Sequence, residues 1–141
     1  MKQRRRSAEF VWPVRVYYED TDAGGVVYYA NYLKFMERAR TEWLRQLGFE
    51  QDQLLRDAGI VFPVRRLTVE YFRPARFNEQ LRIMSKIINP ARASLEFQQR
   101  VLRRDDTLLC QGAVTVACVD ARTFRPKPLP DNLRAEIEHA S

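Results

Sequence analysis

The residues best able to do chemistry crowd into one stretch, Tyr17-Tyr18-Glu19-Asp20-Thr21-Asp22-Ala23-Gly24-Gly25-Val26-Val27-Tyr28-Tyr29. Glu19, Asp20 and Asp22 put three carboxylates within four residues; two glycines follow, and a helical pattern begins just beyond. Backbone N–H groups at a helix N-terminus carry partial positive charge and can hold a developing oxyanion. A carboxylate beside them can attack a carbonyl or activate a water. The glycines let the backbone approach a bound molecule closely. By composition alone the stretch also reads as an acidic turn entering a helix. Side chains alternate along a strand, so Asp20 and Asp22 are expected on one face and Glu19 on the other. Asp22 is the preferred reactive group, being nearest the glycines and the helix start.

The rest of the chain narrows the chemistry. Its one histidine, His139, lies near the C-terminus, where chains fray. Ser-His-Asp, Cys-His and His-ligated metal mechanisms therefore lack a well-placed imidazole. Cys110 and Cys118 fall in one strand-like run, about 26 Å apart along it, whereas a disulfide needs Cα atoms within about 7 Å. They read as buried reduced thiols, in keeping with a cytoplasmic protein. Neither metal nor organic cofactor is expected. The 141 residues carry 24 Lys+Arg against 18 Asp+Glu, a net charge of +6, with lysine only at Lys2, Lys34, Lys86 and Lys127. Such a surface suits nucleic acid, anionic lipid or a phosphate-bearing small molecule without choosing among them. No apolar run reaches the roughly 20 residues that span a bilayer. The basic start, Met1 to Arg6, lacks the apolar core of a secretory signal.

The elements that must hold the acidic stretch follow from periodicity. Residues 1–8 read as a solvated basic tail and 9–141 as one domain. Phe10 to Tyr18 alternates as a strand. Tyr32, Met36, Ala39, Trp43 and Leu47 make one apolar helical stripe. That helix starts between Tyr28 and Asn31, with Asn31 a possible N-cap, and stops at Gly48. Residues 50–58 form a second, short helix ending at Gly59. Four strands follow: Phe62 to Tyr71, Gln80 to Ile88, Ala93 to Leu102, and Leu108 to Val119. The last is apolar on both faces, as a strand covered on both sides would be. Asp131 to Glu138 reads as a terminal helix capped by Asp131. The order describes an α+β fold, a curled antiparallel five-stranded sheet around one long central helix.

Val14 to Tyr28, continuing to Asn31-Tyr32 and Glu37-Arg38-Ala39-Arg40-Thr41-Glu42, resembles the hotdog-fold thioesterases. The nearest branch is the Tol–Pal-associated acyl-CoA thioesterases, similar to 4-hydroxybenzoyl-CoA thioesterase. Thr68-Val69-Glu70-Tyr71, Pro74-Ala75-Arg76, Arg92-Ala93-Ser94-Leu95 and Val119-Asp120 carry the likeness on, over roughly residues 10–130. The resemblance implies a hotdog fold and hydrolysis of a short-chain or aromatic acyl-CoA, or of an acyl carrier protein thioester. It implies that Asp22 is the catalytic carboxylate, as nucleophile or general base, and that Tyr18 assists. Tyr29 stands where many members of the branch have a histidine. It resembles instead the hydroxybenzoyl-CoA branch, where an aromatic residue supplies a polarising backbone N–H. Arg92 and Ser94 match the nucleotide or pantetheine region; Arg65, Arg66, Arg73 and Arg76 are further phosphate-binding candidates. The family also implies a homodimer or a dimer of dimers, a homotetramer, and no nucleic acid partner.

A reading of another class stands beside it. The basic tail and the +6 charge fit a non-catalytic binding module for nucleic acid or a membrane-associated complex, whose binding would fall with salt. A hotdog dehydratase would normally need a histidine that this chain lacks at a plausible site.

Overall fold

The computed structural model describes residues 9–140, so the expected basic tail lies outside the described residues. Five antiparallel strands form the main sheet: β1 (Phe10–Arg15), β3 (Val64–Tyr71), β4 (Gln80–Ile88), β5 (Ser94–Arg103) and β6 (Leu108–Ala117). Their spatial order is β1-β4-β5-β6-β3. Helix α1 (Asn31–Gln46) packs on one face, giving the layered α+β hotdog architecture that the sequence implies.

The helix forms because its apolar residues recur on one stripe. Tyr32, Phe35, Met36, Ala39, Trp43 and Leu44 are all buried. It stops where Gly48 takes φ +100°. The strands answer with alternation. Leu81, Ile83 and Ile87 of β4, and Leu95, Phe97 and Val101 of β5, face the helix. Two polar residues share that buried face. Gln99 donates to the Met36 carbonyl (3.0 Å) and the Ser85 hydroxyl (2.8 Å), and accepts from Arg40 (2.9 Å). Where the helix crosses β6, a Cβ on Gly112 would stand 2.8 Å from the Thr68 carbonyl and 3.6 Å from Met36 Cε.

Several boundaries differ from expectation. The first strand ends at Arg15 rather than Tyr18, because the Tyr17 amide turns to the Asp20 carboxylate and Tyr18–Asp20 winds into one 3-10 turn. The run from Phe62 is preceded by β2 (Ile60–Val61), and the run to Val119 breaks at Cys118. Its end, β7 (Val119–Asp120), pairs with β2 in a separate two-stranded sheet. β6 is not covered on both faces. Leu109, Gly112, Val114 and Val116 are buried under α1, whereas Gln111, Ala113 and Thr115 stay half-exposed. α2 (Gln51–Ala58) ends at Gly59 with φ +66° as expected. α3 (Asp131–Ala140) includes Asp131 as its first residue instead of its cap; the Pro130 carbonyl accepts from the Arg134 amide. Cys110 and Cys118 are buried free thiols.

β3 is an edge. Its inner side pairs with β6, and among the described residues nothing pairs with the other side. It is nevertheless apolar at Val64, Leu67 and Tyr71, each 39–50% exposed.

Candidate active site

The acidic stretch folds as a short ribbon that feeds α1. Thr21 and Val27 form an antiparallel bridge; the Asp22 amide donates to the Val26 carbonyl (2.9 Å) and the Tyr28 amide to the Asp20 carbonyl (2.9 Å). Gly25 closes the tip with φ +80°, a conformation that glycine adopts without a Cβ penalty. A second segment braces the ribbon. Val26 bridges Arg76, and the Val27 amide donates to the Ala75 carbonyl (2.8 Å).

The carboxylates do not alternate as strand residues would. Asp20 is buried: Oδ2 accepts from the Tyr17 amide (2.8 Å) and Oδ1 from Asn31 Nδ2 (2.7 Å). Asn31 is the first residue of α1, not its N-cap, and its side chain pins the helix to the ribbon. Asp20 therefore builds the site. Glu19 is exposed. Asp22 is also exposed, at the ribbon tip, where Oδ1 accepts from the Gly24 amide (2.8 Å). Among the described residues, Oδ2 has no partner.

Tyr29 lies where the ribbon becomes helix. The Asn31 amide donates to the Tyr28 carbonyl (2.8 Å), and the Leu33 amide to Ala30 (3.1 Å). Among the described residues, the Tyr29 and Ala30 amides make no hydrogen bond. These are free donors at the positive end of the helix. The Tyr29 carbonyl is held from β3: the Tyr71 hydroxyl donates to it at 3.1 Å. Burial pushes the Tyr71 phenol above its ordinary pKa, so its O–H persists further into alkaline pH. Burial does the same to Tyr32, whose hydroxyl accepts from the Ala75 amide (3.0 Å). Tyr28, Tyr29 and Tyr71 form an exposed ring cluster. Sequence reasoning missed Tyr71 because it reads only as the end of a strand.

Tyr18 is 76% exposed and stacks face to face on Phe77, with centroids 3.9 Å apart. Phe77 belongs to the segment that braces the ribbon, between Arg76 and Asn78, whose amide donates to the Val16 carbonyl (2.9 Å). Tyr18, Asp22 and Tyr29 thus belong to one ribbon and its two ends.

The basic candidates divide into two groups, one beside the ribbon and one remote from it. Arg73 and Arg76 are exposed on the bracing segment. Arg65 and Arg66 are exposed at the far end of β3 from Tyr71, roughly 20 Å along the strand. Arg92 and Ser94 lie by the start of β5. The far end of that strand, at Arg103, reaches the Pro74 carbonyl beside the ribbon (2.9 Å), roughly 30 Å away. His139 is exposed in the last turn of α3. Among the described residues, no helix is long and apolar enough to cross a membrane.

Residues 16–137 match the model of the thioesterase-like superfamily. The chain is 49% identical over 129 residues to the acyl-CoA thioester hydrolase YbgC of Escherichia coli, covering 92% of this chain and 96% of that protein. It is 30% identical over 132 residues to a 1,4-dihydroxy-2-naphthoyl-CoA hydrolase of Thermosynechococcus vestitus, covering 89% and 86%. In three dimensions it is similar to a 1,4-dihydroxy-2-naphthoyl-CoA thioesterase from Synechocystis, with TM-score 0.86 and 21% identity over 92% of this chain and 96% of that one. At that identity the likeness is one of fold.

Proposed function

The chain belongs to the thioesterase-like superfamily and is a thioester hydrolase, and on that premise we propose that it hydrolyses short-chain or aromatic acyl-CoA through Asp22. The observation carrying this reading is the free Tyr29 amide at the tip of α1, on the same ribbon as an exposed carboxylate. The thioester carbonyl accepts from the Tyr29 N–H, which stabilises the negative oxygen as the tetrahedral intermediate forms. Asp22 either attacks the carbonyl carbon, giving an acyl-aspartyl anhydride and CoA thiolate, or takes a proton from a water that attacks instead. Water completes the first route by opening the anhydride. Tyr18, held by Phe77, assists beside the ribbon. No imidazole is required, so tyrosine at position 29 serves through its backbone. An acyl carrier protein thioester presents the same reacting group.

The working unit is a dimer, alone or paired into a tetramer. The unpaired, apolar β3 edge supports this, since such edges are normally covered. Two β3 strands paired antiparallel about a twofold axis would set the Arg65 end of one beside the Tyr71 end of the other. Arg65, Arg92 and Ser94, remote from Asp22 in one chain, would then serve the phosphates of a CoA lying across two.

Thiol release from a panel of acyl-CoAs tests the reading. The wild type turns over at least one of them, and Asp22→Asn loses turnover by a hundredfold or more while remaining folded. Undiminished turnover in Asp22→Asn would remove the proposed mechanism.

A further inference from the structure

Arg40 is a half-buried cation with little to hold it. Its Nη1 donates to Gln99 Oε1 (2.9 Å), and its guanidinium carbon lies 5.9 Å from the centre of the Phe97 ring. No carboxylate forms a salt bridge with it among the described residues. Glu37, one turn earlier, instead accepts from the Thr41 hydroxyl (2.7 Å). Burial pulls the Arg40 pKa down, and the nearby Glu37 charge only partly opposes it. A guanidinium has five N–H donors and only one is used here. Among the described residues no buried side-chain donor lacks a partner, so the unused ones reach solvent; Arg40 lines two cavities, one toward Gln51 and Phe62 and one between α1 and β3.

The second, a cavity of about 370 Å³, runs between α1 and β3; Leu33, Met36, Leu67 and Val114 form its apolar walls, and Lys34, Glu37 and Arg40 are its charged residues. It leads away from the candidate active site. Helix and strand run in opposite directions: Tyr29 lies by Tyr71 at one end, and Arg40 and Val64 line the same cavity at the other. Leu33 is about one turn beyond Tyr29, and Arg40 a further two turns, roughly 10 Å along the axis. The groove thus begins with Leu33 and the exposed Lys34 one turn beyond Tyr29, continues between apolar walls, and carries Arg40 at its far end with Glu37 one turn before it.

We propose that this groove receives the acyl group and that Arg40 binds a carboxylate at its distal end, making dicarboxylic acyl-CoA the preferred substrate class. The inference rests on the reading that the Tyr29 amide and Asp22 hold the thioester. Arginine suits the task because its planar fork matches a carboxylate. A chain ending in a methyl group would leave those donors unmatched, while a carboxylate in a groove without a cation would be penalised by desolvation.

The test is kcat/KM for adipoyl-CoA against hexanoyl-CoA and for suberoyl-CoA against octanoyl-CoA. The expected result is at least a tenfold preference of the wild type for the dicarboxylic member of one pair, falling below twofold in Arg40→Gln. Arg40→Lys, which keeps a cation, retains part of the preference and serves if Arg40→Gln does not fold. A wild type that prefers the neutral chains in both pairs, or a preference unchanged in Arg40→Gln, overturns the proposal. So does an Arg40→Gln protein that dissociates with unaltered selectivity, since Arg40 would then meet an acid of a second copy. Asp22→Asn is measured alongside. If it abolishes hydrolysis while no dicarboxylic preference exists, only this inference falls; if it hydrolyses normally, the active-site reading falls and takes this one with it.

Discussion

The Tyr71 hydroxyl, on the last residue of β3, donates to the carbonyl of Tyr29, just before α1. A helix would normally offer that carbonyl to the Leu33 amide, but Leu33 donates to Ala30. Tyr29 is thereby fixed on both sides, by Asn31 at the preceding carbonyl and by Tyr71 at its own. The direction of its free N–H is set by an edge strand as well as by the helix.

Tyr71→Phe removes that hydroxyl and keeps the ring among Tyr29 and Tyr32. We expect kcat to fall about tenfold, equivalent to about 1.4 kcal/mol in the barrier. KM should change little, because the amide matters most when the carbonyl oxygen becomes negative. The melting temperature should stay within a few degrees. A kcat equal to the wild type would show that Tyr71 does not orient the amide.

Two carboxylates two residues apart should behave in opposite ways. Asp20→Ala strips the Tyr17 amide and the Asn31 side chain of their acceptor. Leaving buried donors unsatisfied costs about 1–3 kcal/mol, so Tm should drop by roughly 5–10 °C. Asp22→Asn alters an exposed side chain whose one recorded partner, the Gly24 amide, can still be accepted by an amide oxygen. Its Tm should stay near that of the wild type while turnover disappears. Thermal melts and thiol release on both variants decide the matter; reversed behaviour would exchange the roles of the two aspartates.

How far these roles can be read from residues depends on how local their causes are. The α1 stripe, the Gly48 and Gly59 stops and the Gln80 to Ile88 strand follow from periodicity and glycine conformation within a few positions. The burial of Asp20 does not, because it depends on a 3-10 turn and on Asn31, eleven positions later. Strand alternation placed Asp20 and Asp22 together, and the turn separates them. Tyr71 and Tyr29 meet across 42 positions, a distance over which no pattern in either segment reports the other. β6 looked covered on both faces because alanine, threonine and valine fit a half-exposed face as well as a buried one.

Gly112 tests how tightly α1, β3 and β6 are packed. Its φ is not positive, so conformational freedom is not the issue. The added methyl of Gly112→Ala would stand 2.8 Å from the Thr68 carbonyl and 3.2 Å from Val69 Cγ2, and backbone cannot step aside as a flexible side chain can. Overpacking of this kind costs about 1–3 kcal/mol. Urea denaturation should show the midpoint falling with an unchanged m-value. Because β3 carries Tyr71, kcat should fall as well. A variant as stable as the wild type would mean that β3 moves outward at no cost.

Burial pushes the Cys110 thiol up to about 12 and raises Cys118, which lies near Lys127, more modestly. A folded-state pKa above the unfolded value means that the folded protein holds its proton more tightly. The resulting stability is complete below the unfolded thiol pKa, near 8.5, and is lost as pH rises from there through the folded value. Tyr32 and Tyr71, also raised, add to the loss above about pH 10. The urea midpoint should therefore decline steadily above pH 9. Cys110→Ala should remove up to about 1.4 kcal/mol per pH unit of that slope. Native protein at pH 8 should resist a thiol-specific disulfide reagent at both cysteines and release two equivalents once denatured. Rapid labelling of Cys110 in the native state would show that its proton is not held by burial.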